Sequence, residues 1–398
     1  MGRTWPNPSV GALLLARTVS DKIISFDGYT EKPGKRHAEI VLFDKLDKAV
    51  QEIKKAVLFV TLEPCSTHGR TPPCTDRINR YKFIESVIII NRDPLLAGEG
   101  IQKLKLAGKK TVEPKKSYGL RTEDPFLGGF LSRVTGSGPR LHLKCAVFSD
   151  GIMGSRSNRV LISGSGAIRF GMALRAKMDA VIVGPGTVSV DFPSLNVRKG
   201  PDDTRELDFE LKSGRDRFTG SLLENLGEIE ASNYSDLDYQ PDRIFVLDRK
   251  FNFYEKFYLK QKKLEEDTGR KSIFISTEAS EKFWKSTEIK IDYTVPGFSS
   301  PVFAKSIKKI LSDLGYNEVL VEGGAGMFQS LASSLSGNDR VYLLRSKKTS
   351  VKSSDKISDE LSNKRQDSIK DAVYVPDYMM KRKTICEYRL ENEDLIVS

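Results

Sequence analysis

The chain alternates short, uniformly apolar runs with stretches whose apolar positions recur every three or four residues. In the first third, "VGALLLA" (10–16), "AVLFVTLE" (56–63) and "SVIIINRD" (86–93) are short, β-branched and bounded by turn residues, so they predict buried strands. Between the first two, "AEIVLFDKLDKAV" carries apolar residues at helical spacing. After Cys74, "TDRINRYKFI" does the same, with Thr75 and Asp76 suited to a helix start. Strands alternating with helices predict an α/β layer fold.

The pattern breaks over 114–139, and its Gly/Ser/Pro-rich end, Gly136 to Pro139, reads as part of a linker that we assign to 126–139. A second alternating series follows. Strands are predicted at 140–148, 180–184, 243–248, 272–276 and 318–322, and helices at 166–178, 302–315 and 325–335. The charged stretch 199–241 reads as an insertion or long loop, and the Lys/Ser/Asp run 346–372 as a mobile segment. The closing "TICEYRLENEDLIVS" predicts a hairpin. The expected organisation is one domain over 1–125 and a second over 140–398. A chain of 398 residues is too long for one ordinary core, which agrees with two domains.

No apolar run approaches the ~20 residues that a membrane helix needs, and "VGALLLA" lacks the cleavage site of a signal peptide. Four cysteines in a chain of this length do not make a disulfide framework, so a reducing, cytoplasmic setting is expected. The formal charge of +11 is compatible with a mixed, solvated surface. No basic stripe is interleaved with stacking aromatics, so neither a nucleic-acid nor a membrane partner is expected. A phosphorylated small substrate needs only a few of these cations, and the composition admits a homo-oligomer.

The candidate chemistry lies in "HAE" (37–39) and "TLEPCSTHGRTPPC" (61–74). A hydrolytic zinc site takes three protein ligands and leaves one position open. His37, Cys65 and Cys74 supply an imidazole and two thiolates. His37 opens one predicted helix and Cys74 precedes another, and positive helix N-termini favour thiolate. Pro64 and Pro73 stiffen the backbone before each cysteine. Glu39, two residues from His37, can enter the same pocket without ligating and pass a proton to a leaving amine. Two alternatives stand beside this one: cysteines that are merely buried small hydrophobes, and a closed structural site with His68 as fourth ligand.

"TWPNPSVGALL", "HAE", "TLEPCSTHGRTPPC" and "NRDPLLAGEGI" together resemble the deaminase half of the bifunctional riboflavin-biosynthesis deaminase/reductase family. The resemblance implies a cytidine-deaminase-like three-layer α/β/α domain, zinc ligands His37, Cys65 and Cys74, Glu39 as proton shuttle, and Asn7 against the pyrimidine ring. It also implies a helix of about twenty residues ahead of "PNP", where this chain has only a few residues. Trp5 stands where a small residue is usual, and Tyr29 where a histidine is.

In the second half, "GPGT" (184–187) and "GGAG" (323–326) each follow a predicted strand, a setting in which backbone N–H groups hold phosphate. Neither is the G-x-G-x-x-G fingerprint of a standard dinucleotide fold. With "LKCAVFSDG" (143–151) and "ALRAKMDAVIVGPGTVSVDFPSLNVR" (173–198), they resemble the reductase half of the same family. That resemblance implies a dihydrofolate-reductase-like α/β domain using NADPH. It puts Ala146, Thr187, Asp191 and the turn Gly323, Gly324, Ala325, Gly326, Met327 and Phe328 at the cofactor. It puts Lys144, Arg159, Arg175, Leu195, Arg198 and Glu322 at a ribosyl phosphate. "VLISGSG" (160–166) lacks the family's tryptophan, and "NDRVYLLRSKKTSVK" (338–352) departs from its usual close. The implied activity is deamination of a diaminopyrimidinone ribosyl phosphate, then reduction of ribosyl to ribityl. The alkoxide-like oxygen left by the hydride step needs a proton or polarisation, which Lys144 or a water can supply. A deaminase with a degenerate second half and a nucleic-acid or nucleoside zinc deaminase are the rival readings.

Overall fold

The computed structural model describes residues 4–49, 52–68, 72–113, 124, 126–156, 160–198, 209–214, 218–219, 222, 240–248, 253–348, 371–384, 386–390 and 393–398. It divides into two compact units, residues 1–139 with 314–317 and residues 140–313 with 318–398.

The first unit is built on a five-stranded sheet of β1 (Gly11–Thr18), β2 (Ile23–Tyr29), β3 (Ile53–Val60), β4 (Ile84–Ile89) and β5 (Lys110–Val112), in the order β2-β1-β3-β4-β5. β1 runs antiparallel to both neighbours, and β3, β4 and β5 are parallel. Strict alternation along β1 buries Ala12, Leu14 and Ala16 while Leu13 and Leu15 stay exposed. Helix α1 (Ala38–Lys48) lies against β1 and β2 and turns Leu42, Phe43 and Leu46 into the core. Helices α2 (Cys74–Arg80) and α3 (Glu99–Leu106) add Ile78, Ile101 and Leu104.

Residues 126–139 are not a plain linker. Helix α4 (Gly128–Val134) occupies most of that stretch, with Leu127, Phe130 and Leu131 in the first unit's core. Their spacing of three and four is a helical apolar stripe, which the flanking Gly128, Gly129 and Gly136 disguise.

The second unit carries a ten-stranded sheet: β6 (Arg140–Val147), β8 (Ala180–Val183), β9 (Phe209–Gly214), β10 (Asp242–Leu247), β11 (Ser272–Thr277), β12 (Tyr293–Val295), β13 (Glu318–Val321), β14 (Arg340–Ser346), β16 (Cys386–Leu390) and β17 (Glu393–Val397). β7 (Ile152–Ser155) and β15 (Ala372–Tyr374) pair separately. The order is β12-β11-β10-β8-β13-β6-β14-β17-β16-β9. β12 through β14 in that order are parallel, and β17, β16 and β9 close the sheet antiparallel. β8 and β10 are buried at every position, as parallel strands covered on both faces are. Helices α5 (Ser165–Arg175) and α6 (Pro185–Asp191) flank β8 in the chain.

The C-terminal hairpin is present as β16–β17. Within 199–241, read as an insertion or loop, β9 pairs with β16, and most of the remainder lies outside the described residues. So does most of the polar run 346–372. No described helix is long and apolar enough to cross a membrane.

Candidate active sites

His37 is the N-cap of α1, and Cys74 is the first residue of α2, one position further into the helix than its sequence suggested. Cys65 follows Pro64 on the loop after β3. These three groups converge: Nδ1 of His37 lies 3.4 Å from Cys74 Sγ and 3.7 Å from Cys65 Sγ, and all three ligand atoms are within 4.8 Å of one another. Zn–N near 2.0 Å and Zn–S near 2.3 Å in a tetrahedron separate a nitrogen and a sulfur ligand by about 3.5 Å. The donor set and its spacing therefore fit zinc.

His68 is not part of the group. It is exposed and sits 3.6 Å from Asp76. Among the described residues, only His37, Cys65 and Cys74 form such a cluster.

The electrostatics suit a metal-binding thiolate. The Cys65 thiol is drawn down to about 4, first by the hydrogen bond with Cys74 and then by His37 and the Cys74 backbone N–H. That N–H donates to Cys65 Sγ over 3.2 Å. Cys74 is pushed up by the hydrogen bond it makes to Cys65, then by burial. Glu39 is buried on the first turn of α1, where burial raises its carboxyl. A carboxyl raised in this way is suited to holding and releasing a proton.

Two residues hold the Cys65 loop: Glu63, which sequence reasoning passed over, and Thr75, which it read only as a helix start. Glu63 accepts the Gly100 and Ile101 N–H groups at the start of α3, over 2.9 and 3.3 Å, and the Asp93 N–H over 3.3 Å. Thr75 donates through both its N–H and its hydroxyl to the Cys65 carbonyl, over 3.2 and 3.1 Å. Glu63 sits inside the quoted "TLEPC" run, so its proximity to Cys65 was the available signal. Asn7 lies ahead of β1, in a turn closed by Thr4. Among the described residues, no hydrogen bond joins its side chain to the triad.

In the second unit, the predicted residues that the structure describes lie on β6, at the end of α5, and after β8 and β13; β6, β13 and β8 are neighbours in the sheet. There the order of connection reverses, which is where open α/β sheets bind ligands. Lys144 and Ala146 lie two apart on β6, on one face of the strand. The two glycine turns meet: a Cβ on Gly184 would come 3.2 Å from Met327 Cβ, and one on Gly324 would come 4.0 Å from Thr187 Oγ1. Gly323 has to be glycine, because a Cβ there would lie 2.7 Å from Met327 Cβ. Ala325, Gly326, Met327 and Phe328 form the first turn of the helix Ala325–Leu331, and Met327 and Phe328 are buried. Asp191, one turn beyond Thr187 on α6, is exposed.

Arg175, at the end of α5, donates to Glu322 through Nε and Nη2 over 2.7 and 2.6 Å, and to the Asn196 carbonyl over 3.1 Å. Burial opposes the Glu322 charge, yet Arg175, with Lys144 and Arg198 beyond it, holds that carboxyl down to about 2. The structure thus brings Lys144, Arg175, Arg198 and Glu322 into one electrostatic group with a net positive charge. Leu195 is buried beside it, in a left-handed backbone conformation at φ 53° that costs a bulky residue on the order of 1–3 kcal/mol. Arg159 lies outside the described residues.

The family described as cytidine and deoxycytidylate deaminase zinc-binding region matches residues 1–91, and the RibD C-terminal domain matches 139–335. The riboflavin biosynthesis protein RibD of Corynebacterium ammoniagenes is 32% identical over 243 residues, covering 60% of this chain and 69% of that protein. The chain belongs to the RibD family. RibD of Aquifex aeolicus is 37% identical over 205 residues, 51% of this chain and 54% of that protein. The chain thus spans about half the length of most of the curated relatives it matches. A solved Thermotoga maritima structure, titled a diaminohydroxyphosphoribosylaminopyrimidine deaminase/5-amino-6-(5-phosphoribosylamino)uracil reductase, superposes with a TM-score of 0.63. It is 25% identical, covering 100% of this chain and 93% of that one. The two family models fall on the first and second units in chain order, so the α/β class and the pairing of a deaminase-type domain with a RibD reductase domain agree with the sequence reading.

Proposed function

We propose that the chain is a two-step enzyme of riboflavin biosynthesis. The first step is hydrolytic deamination of 2,5-diamino-6-ribosylamino-4(3H)-pyrimidinone 5′-phosphate. The second is NADPH-dependent reduction, giving 5-amino-6-(5-phospho-D-ribitylamino)uracil. The observation that carries this reading is the His37–Cys65–Cys74 triad with Glu39 buried against it, on a chain that also holds the paired glycine turns and the Arg175–Glu322 group. A boundary near 139 separates the two activities, and the four free cysteines favour a reducing, cytoplasmic setting.

His37, Cys65 and Cys74 would hold zinc, which when bound supplies Lewis-acid activation of a water at neutral pH. Glu39 takes the proton from that water and returns it to the departing nitrogen, so that ammonia leaves neutral. Its burial keeps bulk water from competing for the proton. Asn7 orients the pyrimidine ring.

The Gly184–Thr187 and Gly323–Phe328 turns, with Ala146 and Asp191, would hold NADPH, which supplies the hydride for C1′ of the ribosyl group. Arg198 neutralises the phosphate, and Arg175, held on Glu322 and the Asn196 carbonyl, binds the substrate from one fixed orientation. Lys144 donates a proton to the sugar oxygen that is left as an alkoxide. Arg159 and Leu195 complete the substrate-binding set.

Ammonia release and NADPH oxidation are measured separately on the diaminopyrimidinone ribosyl phosphate with zinc-loaded full chain. The reading expects both; absence of both from folded protein would overturn it.

A further inference from the structure

We propose that Gln240, Lys260 and Gln261 are positioning residues of the second site. They set the path of residues 192–198, the segment that presents Leu195 and Arg198 to the phosphorylated end of the substrate. This assignment rests on reading the second unit as a reductase.

Residues 192–198 follow α6 and belong to no helix or strand. Phe192 and Leu195 both take left-handed backbone conformations, at φ 47° and 53°. Such conformations persist in bulky residues only where the surroundings impose them. Leu195 and Val197 are buried, so the polar backbone beside them needs partners.

Those partners are side chains from distant parts of the chain. Gln240, just ahead of β10, accepts the Val197 N–H over 2.6 Å and donates to the Val197 carbonyl over 3.0 Å. Both ends of its amide are committed to one residue, two positions from Leu195 and next to Arg198. On the helix Tyr254–Thr268, Lys260 donates to the Phe192 carbonyl over 2.7 Å, and its ammonium lies 5.1 Å from the centre of the Phe192 ring. The next residue, Gln261, donates to the Pro193 carbonyl over 2.8 Å. The Arg175 bond to Asn196 completes the set. The segment is thereby pinned at both ends and in its middle.

Arg198 is where the pinning matters for chemistry. Its charge is felt both at Glu322 and at Lys260, whose ammonium is pulled down by burial and then by Arg198. Arg198 is exposed, so the backbone that Gln240 fixes at Val197 is what aims its side chain at one anion position. Released from Gln240, the segment relaxes from its left-handed turns and the guanidinium loses that aim. Phosphate binding then weakens, while the hydride geometry at the glycine turns is untouched.

The test compares wild type with Gln240→Ala, Lys260→Met and Lys260→Arg in the full chain. Steady-state NADPH oxidation is measured on the phosphorylated substrate, and inorganic phosphate serves as competitive inhibitor. Loss of one or two buried hydrogen bonds predicts that Gln240→Ala and Lys260→Met raise the substrate KM and the phosphate inhibition constant together, by about tenfold. In both variants kcat, the NADPH KM and ammonia release stay near wild type. Lys260→Arg, which keeps a donor for the Phe192 carbonyl, returns KM toward wild type. Unshifted KM and phosphate inhibition in folded Lys260→Met and Gln240→Ala would overturn the positioning role, as would equal losses in Lys260→Met and Lys260→Arg. A zinc-loaded, folded wild-type chain that oxidises no NADPH would instead count against the reductase reading itself.

Discussion

The Arg175 guanidinium and the Glu322 carboxylate, 147 residues apart in the chain, face each other through two parallel hydrogen bonds of 2.7 and 2.6 Å. Both side chains are nearly buried, at 11% and 13% exposure. A pair so far from water stabilises little relative to an apolar pair, but removing one partner strands a charge. Arg175→Met should therefore cost about 3–5 kcal/mol, and the double variant Arg175→Met/Glu322→Leu should cost less than the single one. Urea unfolding of the second unit's transition in both proteins checks this order.

The same pair predicts an acid limb in stability. The Glu322 carboxyl is held at about 2, below its ordinary 4.5, so its contribution is present above the unfolded value. It is lost as pH falls from about 4.5 toward 2, and it amounts to roughly 3 kcal/mol. Thermal melts across pH 2–6 should show a shallower acid limb in Glu322→Gln than in wild type.

How much of this was legible before folding differs between the two sites. The first site was readable because its ligands sit in short strings, "HAE" and "PC…PPC", where neighbouring residue types carry the chemistry. Buried strands such as β8 and β10 announced themselves by unbroken apolar runs. β2 did not: it lies at the sheet edge, only Gly28 is buried along it, and its composition looks like a loop. Helix α4 was hidden by glycines. Gln240 and Gln261 were invisible because a side chain that bonds a backbone 43 or 68 residues away leaves no periodic trace. Glutamines in charged surroundings read as surface.

Gly28 shows how the first site depends on packing away from its chemistry. A Cβ on this β2 residue would come 2.1 Å from the Ala38 carbonyl and 2.7 Å from the Leu42 N–H. Gly28→Ala must push away the first turn of α1, which carries His37 and Glu39. We expect a loss of about 1–3 kcal/mol in the first unit and weaker zinc retention. Calorimetry and metal analysis after dialysis check both.

Metal removal should act on one unit only. Because the three ligands come from the start of α1, the loop after β3 and the start of α2, zinc would cross-link three elements of the first unit. A chelator should lower the melting transition of that unit by several degrees and leave the second unit's transition in place. Cys74→Ser should melt like the chelated wild type, with no further response to chelator.

The measurement that bears most directly on the central claim pairs zinc stoichiometry with ammonia release, for wild type and for Glu39→Gln. The account predicts one zinc per chain in both proteins, with ammonia formed from the diaminopyrimidinone ribosyl phosphate by wild type and reduced at least a hundredfold in the variant. Zinc-loaded wild type that releases no ammonia, or a Glu39→Gln protein that releases it at the wild-type rate, would contradict the account.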